Sequence, residues 1–464
     1  MTKDTSSNPQ TSWRRGGAFL LAVSLLAMTA GLHASEPDYL TFEEQDTPST
    51  ADEVIGPIDA ILRGPRQEPD EPDASMPAWK ENASPFWRDS SLVIKPRSYY
   101  LNRDRDKGQN NEAWALGGAL AFTSGQWLDR LAVGATVYTS QKLYGPKDKD
   151  GTLLLKPGQQ GFTTVGEAWM RLRLYEEHEL RVGRQTFNLP HINRREIRMV
   201  PNTFEGIVVD RPVDTGFAYI AGYISRMKQI NQSRFISMSE AAGAKTEDKG
   251  LAMAGARYSV GDHSTIGAIN EHSFDVMNVF YVEGETSFNL DDAWGLGLSA
   301  QYSDQRSVGS ELAGNFKTHL GAAKIDLSYK DAILTVAGSR AGNDAMKNPY
   351  GSPPTYLSII VDNFDRAREK AWLVGMSYNF KGVGLDGLST FANIAHGNTP
   401  DSGSKATPDE TEYDLTIDYR FKKGALKGLW ARVRGTYIDQ DEDVANGDDF
   451  FDFRIILNYE YDIF

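Results

Sequence analysis

A set of basic residues stands where cations could bind an anion repeatedly along a path. Lys95, Arg97, Arg171, Arg173, Arg432, Arg434 and Arg454 each lie in a stretch of alternating apolar and polar residues, out of phase with the apolar series. Arg194, Arg195 and Arg198 cluster in an irregular stretch between Asn188-Leu189-Pro190 and Pro201. A guanidinium presents a planar fork that matches a carboxylate with two parallel hydrogen bonds. A row of such groups attracts anions and passes them stepwise, because each site holds only moderately. The bland reading is that these arginines pair with acidic neighbours such as Asp452, Glu460 or Glu167 and brace a wall.

Covalent chemistry is poorly supported. The histidines are His33, His178, His191, His263, His272, His319 and His396, and no spacing forces one beside both a Ser and an Asp. A nucleophile needs a placed base, so no catalytic residue is assigned. No metal-ligand spacing stands out, and no cofactor is implied. Asp104, Asp106 or Asp439-Asp441-Asp443 could hold a surface cation; solvated acidic loops account for them as well.

Strands must position the basic rows. From Phe86 onward, segments of about ten residues alternate apolar with polar or small residues, separated by Gly, Asp, Asn and Lys, which is the outer-membrane barrel pattern. The segments near 86–101, 112–124, 129–142, 162–175, 178–188, 205–213, 215–226, 250–259, 263–272, 277–289, 294–304, 316–328, 331–341, 370–380, 388–397, 411–421, 430–439 and 451–464 are read as strands. The fold class is therefore all-β: a transmembrane, antiparallel, up-and-down barrel of about 18 strands. Short joins such as Glu176-Glu177 and Lys330 alternate with long ones such as Gly145 to Gly161 and Gly342 to Glu369. Short turns then belong to the periplasm and long loops to the outside. On that count the stretch 188–203 is the third outer loop, and it is expected to fold inward and narrow the pore. An arginine on the lipid side would cost about 2–4 kcal/mol at mid-bilayer, so the out-of-phase arginines are assigned to the lumen.

Aromatics such as Trp127, Tyr175, Phe288, Trp294, Tyr419 and Tyr461 fall at strand ends, as interface girdles would. The terminal Phe464 is one residue out of phase with Phe453, Ile455, Leu457, Tyr459, Tyr461 and Ile463.

Residues 1–34 read as a cleaved export signal, with Arg14-Arg15 ahead of an apolar run from Ala18 to Ala30 that is too short to span a membrane. Residues 35–85 hold thirteen acids against three bases and eight prolines. Such composition cannot bury enough apolar surface to order itself, so a disordered periplasmic extension is expected. Residues 86–464 form the barrel. Formal net charge is −14, mostly in the extension, which argues against nucleic-acid binding. Cysteine is absent, so the barrel stands without disulfides.

Particular motifs resemble the OprD-type (Occ) outer-membrane specific porins. Ser90-Ser91-Leu92 with Tyr99-Tyr100-Leu101-Asn102-Arg103-Asp104 is similar to that family's opening strand. Arg181-Val182-Gly183-Arg184-Gln185 and Pro201-Asn202-Thr203-Phe204-Glu205-Gly206 resemble the entry to and exit from its third loop. Arg432-Val433-Arg434 and Arg454-Ile455-Ile456-Leu457-Asn458-Tyr459 resemble its closing strands. The resemblance covers about residues 86–464. It implies an 18-stranded channel in the outer membrane of a Gram-negative bacterium, monomeric or loosely trimeric. It further implies a constricting third loop and uptake of small carboxylate-bearing solutes along a basic ladder of Arg432, Arg434 and Arg454, with Arg97. Expected partners are small anionic solutes, membrane lipid, lipopolysaccharide and the barrel-assembly machinery. Two features depart from the family: the acidic extension, and Arg194-Arg195-Glu196-Ile197-Arg198 in the third loop. The rival readings are a barrel enzyme (lipase or protease) and a polymer exporter.

Overall fold

The computed structural model describes residues 77, 79–213, 216–245, 247–261, 263–441 and 447–464. The expected export signal and nearly all of the 35–85 extension lie outside these residues. Eighteen strands close on themselves in chain order. They are β1 (Ser91–Arg105), β2 (Asn111–Thr123), β3 (Leu131–Tyr144), β4 (Phe162–Tyr175), β5 (His178–Gln185) and β6 (Thr203–Arg211). Next come β7 (Gly216–Lys228), β8 (Leu251–Val260), β9 (Ser264–Ser273), β10 (Met277–Asn289), β11 (Trp294–Ser307) and β12 (Lys317–Tyr329). The wall is completed by β13 (Ala332–Ala341), β14 (Lys370–Asn379), β15 (Leu388–Asn398), β16 (Glu410–Arg420), β17 (Trp430–Gln440) and β18 (Phe450–Asn458). Each strand pairs antiparallel with its neighbours, and β18 pairs back to β1 from Arg97↔Asn458 to Arg105↔Phe450. Closure leaves no edge, which a lipid environment demands because unpaired backbone groups find no water there.

Alternation sets the two faces. On β17, Val433 is 40% exposed while Arg434 is 2% exposed. The outward series of apolar residues includes Ile94, Met170, Ile325, Val336 and Ile455. Exposed aromatics gather at the turn ends, with Trp127, Tyr175, Phe217, Tyr258, Phe288, Trp294 and Tyr419, matching an interface girdle.

Two strand ends differ from expectation. The first strand starts at Ser91 rather than Phe86, because Pro85–Arg88 form one helical turn with proline at its start, a position where the missing N–H costs nothing. The last strand breaks at Tyr459-Glu460 before resuming at Tyr461–Asp462 on the same register against β1. The break lies opposite Pro96, which accepts from the Tyr459 N–H but has no N–H to return. Gly118 stands across from Pro96 on the other side, at φ 124°, where a Cβ would lie 1.9 Å from the Lys95 carbonyl oxygen.

Phe464 falls on the face opposite Tyr461 and Ile463, which are exposed. There it meets Trp79 edge-on at 5.2 Å. Lys80 lies 5.1 Å from the Phe464 ring centre and donates to the Ser90 carbonyl. The chain just ahead of the barrel is thus fastened to its last residue.

Candidate functional site: the basic seam

The strands β17, β18 and β1 are consecutive around the wall, and their inward series carries Arg432, Arg434, Arg454, Arg97 and Lys95. Arg432, Arg434 and Arg454 are 5%, 2% and 1% exposed. Arg434 is the direct cross-strand partner of Arg454. Arg432 makes two bonds to Asp418, at 2.7 and 2.9 Å. Arg454 Nε donates to Asp452 at 2.6 Å, and its Nη2 donates to the Ile360 carbonyl at 3.0 Å. Lys95, half-exposed, pairs with Glu460 at 2.8 Å. Arg432, Arg454, Arg97 and Lys95 are thus each held in place by a carboxylate or carbonyl, and Arg434 interacts with the nearby Asp414 carboxyl.

Three residues belong here that sequence reasoning missed. Arg103 shares the phase of Arg97 and binds Asp452 at 2.8 Å. Asp418 and Glu412 come from β16, whose inward positions read Glu410, Glu412, Asp414, Thr416 and Asp418, all buried. The sequence carries it as the strict alternation Glu410-Thr411-Glu412-Tyr413-Asp414, an acidic series where the neighbouring strands carry basic ones.

Arg171 and Arg173 are not brought to the seam. They lie on β4, separated from β1 by β2 and β3. Arg171 faces Glu179 at 3.8 Å, and Arg173 is exposed near the turn at Glu176-Glu177.

The third loop, residues 186–202, meets β1 closely. Arg97 Nη1 donates to the Arg198 carbonyl at 2.7 Å, and its Nη2 binds Glu196 at 3.0 Å. Arg97 Nε donates to Asn458 of β18 at 2.6 Å. His191 contacts Ser303 of β11 at 3.0 Å, on the far side of the wall from β1. Phe187, Leu189 and Ile192 pack with Phe204, Ile220, Met253 and Tyr281. Met199 and Val200 pack with Tyr99 and Leu101. Apolar burial at both ends gives this loop an anchor that a solvated loop lacks.

Its arginines divide by environment. Arg198 is buried and donates to the Thr152 carbonyl at 2.8 Å. Burial and the nearby Arg454 cation lower its pKa to about 10, so it remains charged at neutral pH. Arg194 pairs with Glu196 at 2.5 Å. Arg195 takes a left-handed φ of 42°. Confinement opposes ionisation of Glu196, but Arg194, Arg97 and Lys95 outweigh it and hold its carboxyl below the usual value.

A second long loop, residues 342–369, also reaches the wall. The Val361 and Asp362 N–H groups each donate to Glu412 at 2.8 Å. Tyr356 donates to Glu283 of β10 at 2.6 Å. Its Tyr356, Leu357, Ile359 and Phe364 are buried with Leu320, Leu373 and Ala395. The sequence marked this loop only as long.

Comparison with known proteins agrees with this geometry. The family model described as outer membrane porin, OprD family, matches residues 84–463. Porin D of Pseudomonas aeruginosa is 22% identical over 417 residues, covering 82% of this chain and 93% of that protein. The porin-like protein GalP of Pseudomonas putida is 23% identical over 403 residues, covering 83% and 95%. Among solved structures, Pseudomonas aeruginosa OpdK with vanillate superposes with a TM-score of 0.72 at 23% identity, covering 81% of this chain and all of that one. A BenF-like porin from Pseudomonas fluorescens gives 0.73 at 22% identity, covering 82% of this chain. These relatives are channels rather than enzymes. With a closed 18-stranded wall and a family match over nearly its whole described length, the chain belongs to the OprD family of outer-membrane porins.

Proposed function

We propose that this porin takes up small carboxylate-bearing solutes, guided past a narrowing by the seam of Arg432, Arg434, Arg454 and Arg97. The observation that carries the reading is the stacking of these cations on one inward wall, with Arg434 and Arg454 in direct register. A carboxylate meeting them exchanges water for guanidinium donors without a large net energy change, which permits passage. OpdK, solved with vanillate, an aromatic carboxylate, supports the substrate class by family analogy.

We infer that the third loop folds into the lumen and forms the narrowing with the 342–369 loop. Support comes from its bonds to inward residues on β1 and β11. Arg97, Lys95 and the loop cations Arg194, Arg195 and Arg198 then lie along the path; Arg171 and Arg173 contribute at most near its periplasmic exit. Liposome swelling across a panel of carboxylates, amines and neutral sugars tests the proposal. Faster entry of one or more carboxylates than of size-matched neutral solutes is expected; equal rates would overturn it.

A further inference from the structure

The outward face near the long-loop end of β11–β14 carries cations in an unusual arrangement. Arg340 on β13 and Lys370 on β14 are direct cross-strand partners, and so are Arg306 on β11 and Lys317 on β12. All four share the phase of lipid-facing residues and are exposed: Arg340 follows Leu334 and Val336, Lys370 precedes Trp372 and Val374, and Arg306 follows Tyr302. Like charges directly opposite each other on a sheet destabilise it. Elsewhere the outward cations are matched, as Arg184 by Glu205 at 3.1 Å and Arg226 by Asp248 at 3.1 Å. Arg306 has Asp304. The side chains of Arg340, Lys370 and Lys317 make no ion pair or hydrogen bond among the described residues.

The level of the patch indicates what would neutralise it. Trp372, Val374, Met376 and Tyr378 continue outward below Lys370, so about 20 Å of lipid-facing strand lies beneath it at strand rise. The cations therefore stand at the headgroup level of the outer leaflet. The outer leaflet of this membrane presents phosphorylated glycolipid at that level, and Arg with Lys suits phosphate in charge and donor geometry.

We propose that Arg340 and Lys370, with Lys317 and Arg306 beside them, form a seat for the phosphates of lipopolysaccharide on the outside of the barrel. This seat is independent of the lumen and of any solute carried there. The test uses the full-length folded protein in detergent, with bound lipid measured by native mass spectrometry against defined lipids. Lipopolysaccharide bearing lipid A phosphates should be retained, and dephosphorylated material should be retained roughly tenfold less, given two or more matched charges. The double variant Arg340→Gln/Lys370→Gln should show a similar loss while keeping the heat-shifted gel mobility of a folded barrel. Arg184→Gln, whose charge Glu205 already meets, should bind like the wild type. Equal retention of phosphorylated and dephosphorylated lipid would overturn the proposal. Equal retention of anionic phospholipid, a matching loss in Arg184→Gln, or a change only in oligomeric state in the double variant would also overturn it.

Discussion

Arg434 and Arg454 face each other across neighbouring strands, both buried, with no residue between them in the ladder. Asp452 and the Ile360 carbonyl accept hydrogen bonds from Arg454. Two buried like charges in register oppose folding. Arg434 also attracts the Asp414 carboxyl, so replacing it with Met removes that attraction together with the repulsion, and resistance to urea should change by no more than about 1 kcal/mol. Carboxylate entry should fall roughly tenfold, the loss of about 1.4 kcal/mol of attraction. Urea midpoints and liposome swelling check the pair of outcomes. A variant that loses stability and keeps its transport would mark Arg434 as a brace.

Asp418 makes the opposite prediction. It holds Arg432 with two bonds in a buried setting, and removing one partner of such a pair typically costs about 3–5 kcal/mol. Asp418→Asn should lower the urea midpoint accordingly and shift the reversal potential in a salt gradient toward anions, since Arg432 is then less compensated. An unchanged reversal potential would show that Arg432 does not sense the pore.

Deleting Leu189 to Val200 removes the partners of Arg97 on the loop side, the Arg198 carbonyl and Glu196. Single-channel conductance should rise several-fold and discrimination among solutes should fall. Conductance at the wild-type level would place the loop outside the conducting path.

His191 supplies a pH dependence. Burial lowers its pKa from 6.5 to about 3, and it lies beside Ser303 and the Tyr281 ring. The folded state thus holds a neutral ring where the unfolded chain would take a proton between about pH 3 and 6.5. Stability from this group is complete above 6.5 and declines as pH falls through that window, by at most about 4–5 kcal/mol. Acidification should loosen the third loop, seen as larger and noisier conductance steps, and His191→Gln should flatten the trend. A His191→Gln channel with the wild-type pH response would refute this.

Much of the wall was legible because strand alternation is a local rule. The assignment of Arg432, Arg434 and Arg454 to one face needed only the phase of Val433 and Ile455. The turns at Glu176-Glu177 and Lys330 were readable for the same reason. The partners were not. Asp418 meets Arg432 only through the register of β16 on β17, and Glu412 meets the Val361 and Asp362 amides only through a loop that returns from β13. Alternation also could not say how far round the wall Arg171 and Arg173 would lie from the seam. The break opposite Pro96 was implicit in proline's missing N–H, but it required knowing which residue of the last strand stands across from it.

Arg97 ties three parts of the chain that are distant in sequence: its own first strand, Asn458 at the end of the last, and the third loop through Arg198 and Glu196. The first strand is made early and the last strand late, so the loop cannot gain its full set of partners until both ends of the sheet have met. The narrowing proposed for this loop is then a late event in assembly. A barrel whose seam has not zipped would be wider and leakier than the finished one, and its leak would report the missing seam.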